Sequence, residues 1–123
     1  MPKNPSRWVE WITGDSTSPR VLERVRGLVD GRQCLVSLDS DHNADHVLDE
    51  LEAYSPLIPR GCYLVVEDTA VDEYDLEPDL YPEGGPGVAV RRFLEQDKRF
   101  VPDRDCERFR LGMNPGGWLR RVA

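Results

Sequence analysis

The spacing of apolar and polar positions changes several times along the chain, and each change predicts an element. Residues 7–13, with Trp8, Val9, Trp11 and Ile12, are rich in aromatic and β-branched side chains and stop at Gly14-Asp15-Ser16, which predicts a strand and a turn. Val21, Leu22, Val25, Leu28 and Val29 then recur at helical spacing. Thr17 or Ser18 can cap that helix, Pro19 suits its first turn and Gly31 stops it. Residues 34–38, Cys-Leu-Val-Ser-Leu, form a nearly continuous apolar run of the kind found in strands covered on both faces, and they deliver Asp39-Ser40-Asp41-His42-Asn43 at their end.

A second helix is predicted from Ala44 to about Tyr54. Ala44, Val47, Leu48, Leu51 and Tyr54 form its apolar face, Asp45, Asp49, Glu50 and Glu52 lie elsewhere, and Pro56 and Pro59 break it. Residues 62–66 are apolar again and end in Glu67-Asp68. Strands alternating with helices over short connections describe βαβ units, so the fold class is α/β, with residues 1–123 as one domain. Residues 71–87 are acidic and rich in proline and glycine, which predicts a long surface loop or lid. Residues 88–96 read as a short helix, while Phe100-Val101 and residues 109–113 read as closing strands beside a turn at Asn114-Pro115-Gly116-Gly117.

Composition removes several classes. The hydrophobic share of 39% and charged share of 32% are those of ordinary globular domains. No apolar run approaches the roughly 18 residues of a membrane-spanning helix, and the first residues show no signal peptide, so a cytoplasmic location is expected. Cys34, Cys62 and Cys106 match neither a disulfide framework nor a zinc motif and read as reduced thiols. The net charge is −7, but residues 39–83 hold fourteen acidic side chains against Arg60 alone, a local charge of −13. Such a segment repels phosphate backbones, which argues against a nucleic-acid partner.

Ligands of open α/β sheets bind beyond the carboxyl ends of the strands. Gly14-Asp15-Ser16, Asp39-Ser40-Asp41-His42 and Glu67-Asp68 fall at such ends. If the second and third predicted strands are neighbours, Asp39 and the Glu67/Asp68 pair converge, and close carboxylates call for a cation or a proton between them. Oxygen ligands favour Mg²⁺ or Ca²⁺. The alternative is that Asp39 caps a helix and Glu67-Asp68 is solvated loop. Residues 39–50 also place oxygen ligands in the register of an EF-hand loop, but Ala44 stands where glycine is required and a strand precedes where a helix should. His42 and His46 share a helical face, and His42, beside the acids, is the candidate general base. The Asn114–Gly117 stretch lacks the Lys-Ser/Thr of a phosphate loop and reads as a turn, and Arg120-Arg121 reads as a solvated end.

Leu38-Asp39-Ser40-Asp41-His42, the stretch Glu50-Leu51-Glu52-Ala53-Tyr54, Gly61-Cys62-Tyr63-Leu64-Val65-Val66-Glu67-Asp68-Thr69 and Asn114-Pro115-Gly116-Gly117-Trp118 together resemble the cephalosporin hydroxylase and rhamnosyl O-methyltransferase family. The order of elements is also similar to that of catechol O-methyltransferases. The resemblance implies a Rossmann-like, mostly parallel sheet of the class I methyltransferase type, lacking its first two strands. It implies S-adenosylmethionine and Mg²⁺ as cofactors and a small-molecule or sugar hydroxyl as substrate. Asp39, Glu67 and Asp68 would be metal ligands, with Asp41 the alternative to Asp39. Gly14, Asp15 and Ser16, with Asp39, would meet the cofactor, and His42 would be the base. Nothing resembles an iron triad of two histidines and a carboxylate. The Gly-rich turn that holds the cofactor's methionine is missing, which leaves a sheet edge to be covered by a second copy or a companion chain. The alternative function is an inactive α/β fragment serving as an oligomerisation or partner-binding module.

Overall fold

A computed structural model describes residues 8–107 and 112–123. Ser18 opens α1 (Pro19–Val29) by accepting a hydrogen bond from Val21 N, Pro19 occupies the first turn, and Asp30 and Gly31 leave the helix through left-handed conformations. Next come β1 (Val36–Leu38) and α2 (Ala44–Tyr54), with the bounds that periodicity predicts for the helix. The chain continues through β2 (Tyr63–Val66), the short α3 (Ala70–Glu73), α4 (Pro86–Gln96), β3 (Phe100–Pro102) and β4 (Trp118–Arg121).

The sheet order is β1-β2-β4-β3. β1 and β2 are parallel, with Val36 opposite Leu64 and Leu38 opposite Val66, whereas β4 runs antiparallel to both β2 and β3. The α/β class and a partial Rossmann-like sheet are therefore present, but the expected mostly parallel order is not: among the described strands only β1 and β2 pair in parallel, because β4 returns antiparallel between β2 and β3. The apolar core joins Leu22 of α1, Val47, Leu51 and Tyr54 of α2, Val90 and Phe93 of α4, and Leu38, Leu64, Val66 and Leu119 of the sheet. α2 packs along α4.

Several local expectations change. Residues 8–13 form no strand, and Trp8 and Trp11 stand 80% and 61% exposed; Arg7 lies outside the described residues. Aromatic and β-branched content marks a strand only where a neighbouring strand and a covering layer receive it. β1 is covered on one face alone: Leu38 is buried, while Leu35 and Ser37 are exposed. Residues 71–87 start within α3 and end in the first turn of α4, whose N-terminal amides at Gly85, Gly87 and Val88 donate to the Asp72 carboxylate. Of the predicted strand at 109–113, residues 109–111 lie outside the described residues and Met113 is not extended ladder. The strand beside β2 is instead β4, which contains Arg120 and Arg121; Leu119 between its polar neighbours is fully buried.

Candidate metal centre

β1 and β2 are adjacent and parallel, so their carboxyl ends open side by side, and Glu67 N donates to Leu38 O across them. Asp39, His42 and Asp68 converge there, with one ligand atom from each lying within 4.8 Å of the others. His42 Nε2 is 2.9 Å from Asp68 Oδ2 and 3.8 Å from Asp39 Oδ1. All three side chains keep some contact with solvent, His42 least. Two carboxylates and one imidazole, all reached by solvent, make a donor set that suits a divalent cation.

Glu67 turns away from this group, and its carboxylate accepts from Ser37 Oγ on the open face of β1. The chain turns just after β2, with Asp68 in a left-handed conformation, so Glu67 and Asp68 leave in different directions and His42 joins the two aspartates instead. Asp41 serves the entrance of α2: Asn43 N and Nδ2 both donate to its Oδ1, which holds its carboxyl below the ordinary value.

The Asp68 corner is braced from the far end of the chain. Asp68 has φ of 55°, a left-handed conformation uncommon for a residue with a side chain, and its N–H donates to Asn114 Oδ1 at 2.9 Å. Thr69 Oγ1 donates to Pro115 O at 2.8 Å, Val66 N to Gly117 O and Ala70 N to Met113 O. A Cβ on Gly117 would lie 2.2 Å from Val66 O, so only glycine lets the two backbones approach this closely. The Asn114–Gly117 turn is the brace that sets Asp68.

Gly14, Asp15 and Ser16 lie before α1. Asp15 Oδ1 accepts from Thr17 N and Oγ1, both at 2.8 Å, and the backbone N–H bond is the main reason its carboxyl titrates below the ordinary value. Ser16 Oγ donates to Glu50 Oε1 at 2.6 Å, Ser40 Oγ donates to the same oxygen at 2.7 Å, and Tyr54 O–H donates to Ser16 O at 2.7 Å. His46 Nε2 stands 3.1 Å from Ser40 Oγ. Glu50 is 2% exposed, and its Oε2 has no hydrogen-bond partner. The pattern reading set Glu50 on the polar side, yet 47, 50, 51 and 54 fall in helical phase, and that phase carried the signal. Glu50 ties the Ser16 turn to Ser40, next to Asp39. Beyond His42, whose ring centroid is 6.3 Å from that of Tyr81, opens a cavity of about 410 Å³ lined by Asp75, Glu77, Tyr81, Glu83 and Arg91 among others.

A family model described as Rhamnosyl O-methyltransferase/CmcI matches residues 2–122. Rhamnosyl O-methyltransferases of Mycobacterium tuberculosis and Mycobacterium bovis are 30% identical over 118 residues, covering 92% of this chain and 47% of theirs. The rhamnosyl O-methyltransferase of Mycobacterium leprae is 36% identical over 85 residues, 68% of this chain and 36% of its own. The chain thus spans about half the length, or less, of the curated relatives it matches. No solved structure matches.

Proposed function

Because the chain belongs to the rhamnosyl O-methyltransferase/CmcI family, we propose that it supplies the metal- and acceptor-binding part of a cytoplasmic, S-adenosylmethionine-dependent O-methyltransferase that acts on a sugar hydroxyl with Mg²⁺. The observation that carries this reading is the convergence of Asp39, His42 and Asp68 at the carboxyl ends of two adjacent parallel strands. Asp39 and Asp68 would hold Mg²⁺, which would supply Lewis acidity to make a bound hydroxyl easier to deprotonate.

The residues of the chain account for the remaining parts. In the tautomer that donates Nε2–H to Asp68, the His42 lone pair is on Nδ1, the nitrogen this reading assigns as proton acceptor. Asp75, Glu77 and Glu83 in the adjoining cavity can accept hydrogen bonds from sugar hydroxyls, and the Tyr81 ring offers a flat apolar surface to a sugar face. The Gly14–Ser16 turn is assigned to the adenine of the cofactor. Since the Ser16 hydroxyl is taken by Glu50, the backbone of the turn is the part left for that contact.

The test is a calorimetric titration of the purified chain with Mg²⁺ and with S-adenosylhomocysteine, followed by methyl transfer from S-adenosylmethionine to a rhamnoside. Saturable metal binding that Asp39→Asn combined with Asp68→Asn removes, together with methyl transfer, supports the reading. Absence of both metal binding and transfer overturns it.

A second reading is a catalytically inactive partner-binding module. It is favoured by the outer edge of β1, which pairs with no strand among the described residues and lies beside the exposed Leu35. Light scattering decides between a monomer and a second copy or companion chain on that edge.

A further inference from the structure

Cys34 and Cys62 are separated by the same number of residues as Val36 and Leu64, which face each other across β1 and β2. Carrying that register two residues back sets Cys34 opposite Cys62. Alternation gives both the side of the sheet used by Val36, Leu38, Leu64 and Val66, and both cysteines do pack against the same apolar core. Neighbouring strands lie about 4.8 Å apart, within the roughly 4.4–6.8 Å between Cα atoms that a disulfide spans.

Two features leave the pair open to thiol exchange. Both thiols are free and only half-buried. Cys62 is fixed at the start of β2, its N–H donating to Pro59 O and its carbonyl accepting from Arg121 N, while Cys34 stands before the first paired residue of β1, where the backbone has latitude to bring its sulfur across. Cys34 is turned inward, its sulfur 3.4 Å from Leu57 O. Burial, and then the proximity of Cys62, hold its thiol above the ordinary value.

We infer that Cys34 and Cys62 close a reversible intramolecular disulfide when the chain meets a small disulfide of the glutathione type. The thiolate of one cysteine attacks the small disulfide, forming a mixed disulfide and releasing one small thiolate, which takes up the proton. The second cysteine attacks the protein sulfur of that mixed disulfide and expels the second small thiol. Two protein thiols are oxidised, one small disulfide is reduced to two thiols, and no other electron acceptor is needed. The bond staples β1, held by a single neighbour among the described strands, to the strand that carries Asp68 at its far end.

The experiment is incubation of the intact chain with excess oxidised glutathione, followed by thiol counting, intact mass and peptide mapping. The expected result is loss of two of the three free thiols, a mass lower by two hydrogens and a Cys34–Cys62 cross-linked peptide, all reversed by dithiothreitol. Cys106→Ser behaves in the same way, while Cys34→Ser and Cys62→Ser each stop at a single glutathionyl adduct on the remaining partner. A disulfide containing Cys106, a disulfide-linked dimer, or survival of all three thiols under conditions that oxidise the urea-unfolded chain overturns the inference.

Discussion

The corner at residues 66–70 and the segment at residues 8–13 are built in opposite ways. At the corner, four hydrogen bonds from Val66, Asp68, Thr69 and Ala70 reach a turn more than forty residues later in the chain, and Thr69 is 2% exposed. The segment carries two tryptophans, the larger apolar groups, yet Trp11 stands 61% exposed. Position in the fold, not side-chain size, decides which stretch is buried. The braced corner bears Asp68 of the Asp39–His42–Asp68 group, whereas the open segment leads to the Gly14–Ser16 turn.

Substitutions graded by this contrast should fall in a clear order. Leu119→Ala, at a fully buried position in β4 beneath the corner, should cost about 2–5 kcal/mol in urea unfolding. Gly117→Ala must move either Gly117 or Val66, and about 3 kcal/mol is expected from the overpacking. A Gly117→Ala chain as stable as the parent in thermal melts would break the claim that close backbone approach sets the corner. Glu50→Gln keeps the shape but weakens the acceptor shared by Ser16 and Ser40, at an expected loss of about 1 kcal/mol in the same assay. Trp11→Ala should change stability by less than about 0.5 kcal/mol; a larger loss would show that the open segment is held after all.

The smallest effect concerns pH. The Tyr63 phenol, donating to Asp103, is pushed up to about 12. Because the folded value is raised, its contribution is complete below the ordinary phenol range near 10 and fades as pH climbs through the folded value. Alkaline absorbance titration of Tyr63→Phe should lack the last tyrosine to ionise.

Helices α1 and α2 were legible because their signals are local, whereas α3 fell inside the stretch expected to be loop. Ser18, Pro19 and Gly31 bound α1, and the phase of Ala44, Val47, Leu51 and Tyr54 fixes α2 to the residue. β1 and β2 were legible as apolar runs ending in acids. β4 was not, since a four-residue strand that offers only Trp118 and the buried Leu119 before two arginines reads as a solvated end. Asp39 and Asp68 could be expected to meet once their strands were neighbours. The inclusion of His42 rather than Glu67 depends on which way each side chain leaves the strand end, and no composition or spacing encodes that. The Glu50 link was hidden because an acid in helical phase with Val47 and Leu51 looks like a break in the apolar face. The structure fills that break with two serine hydroxyls from elsewhere in the chain.

β4 comes last among the described strands yet lies inside the sheet, between β2 and β3. During synthesis, Asp39, His42 and Asp68 emerge well before the strand and turn that brace them. Until Arg121 has left the ribosome, β2 and β3 have no strand to join them and the Asp68 corner has no brace. Formation of the Asp39–His42–Asp68 cluster is therefore a late, long-range event in folding, of the slow kind that distant strand pairing imposes. Chains interrupted before residue 114 carry every proposed ligand and still lack the site.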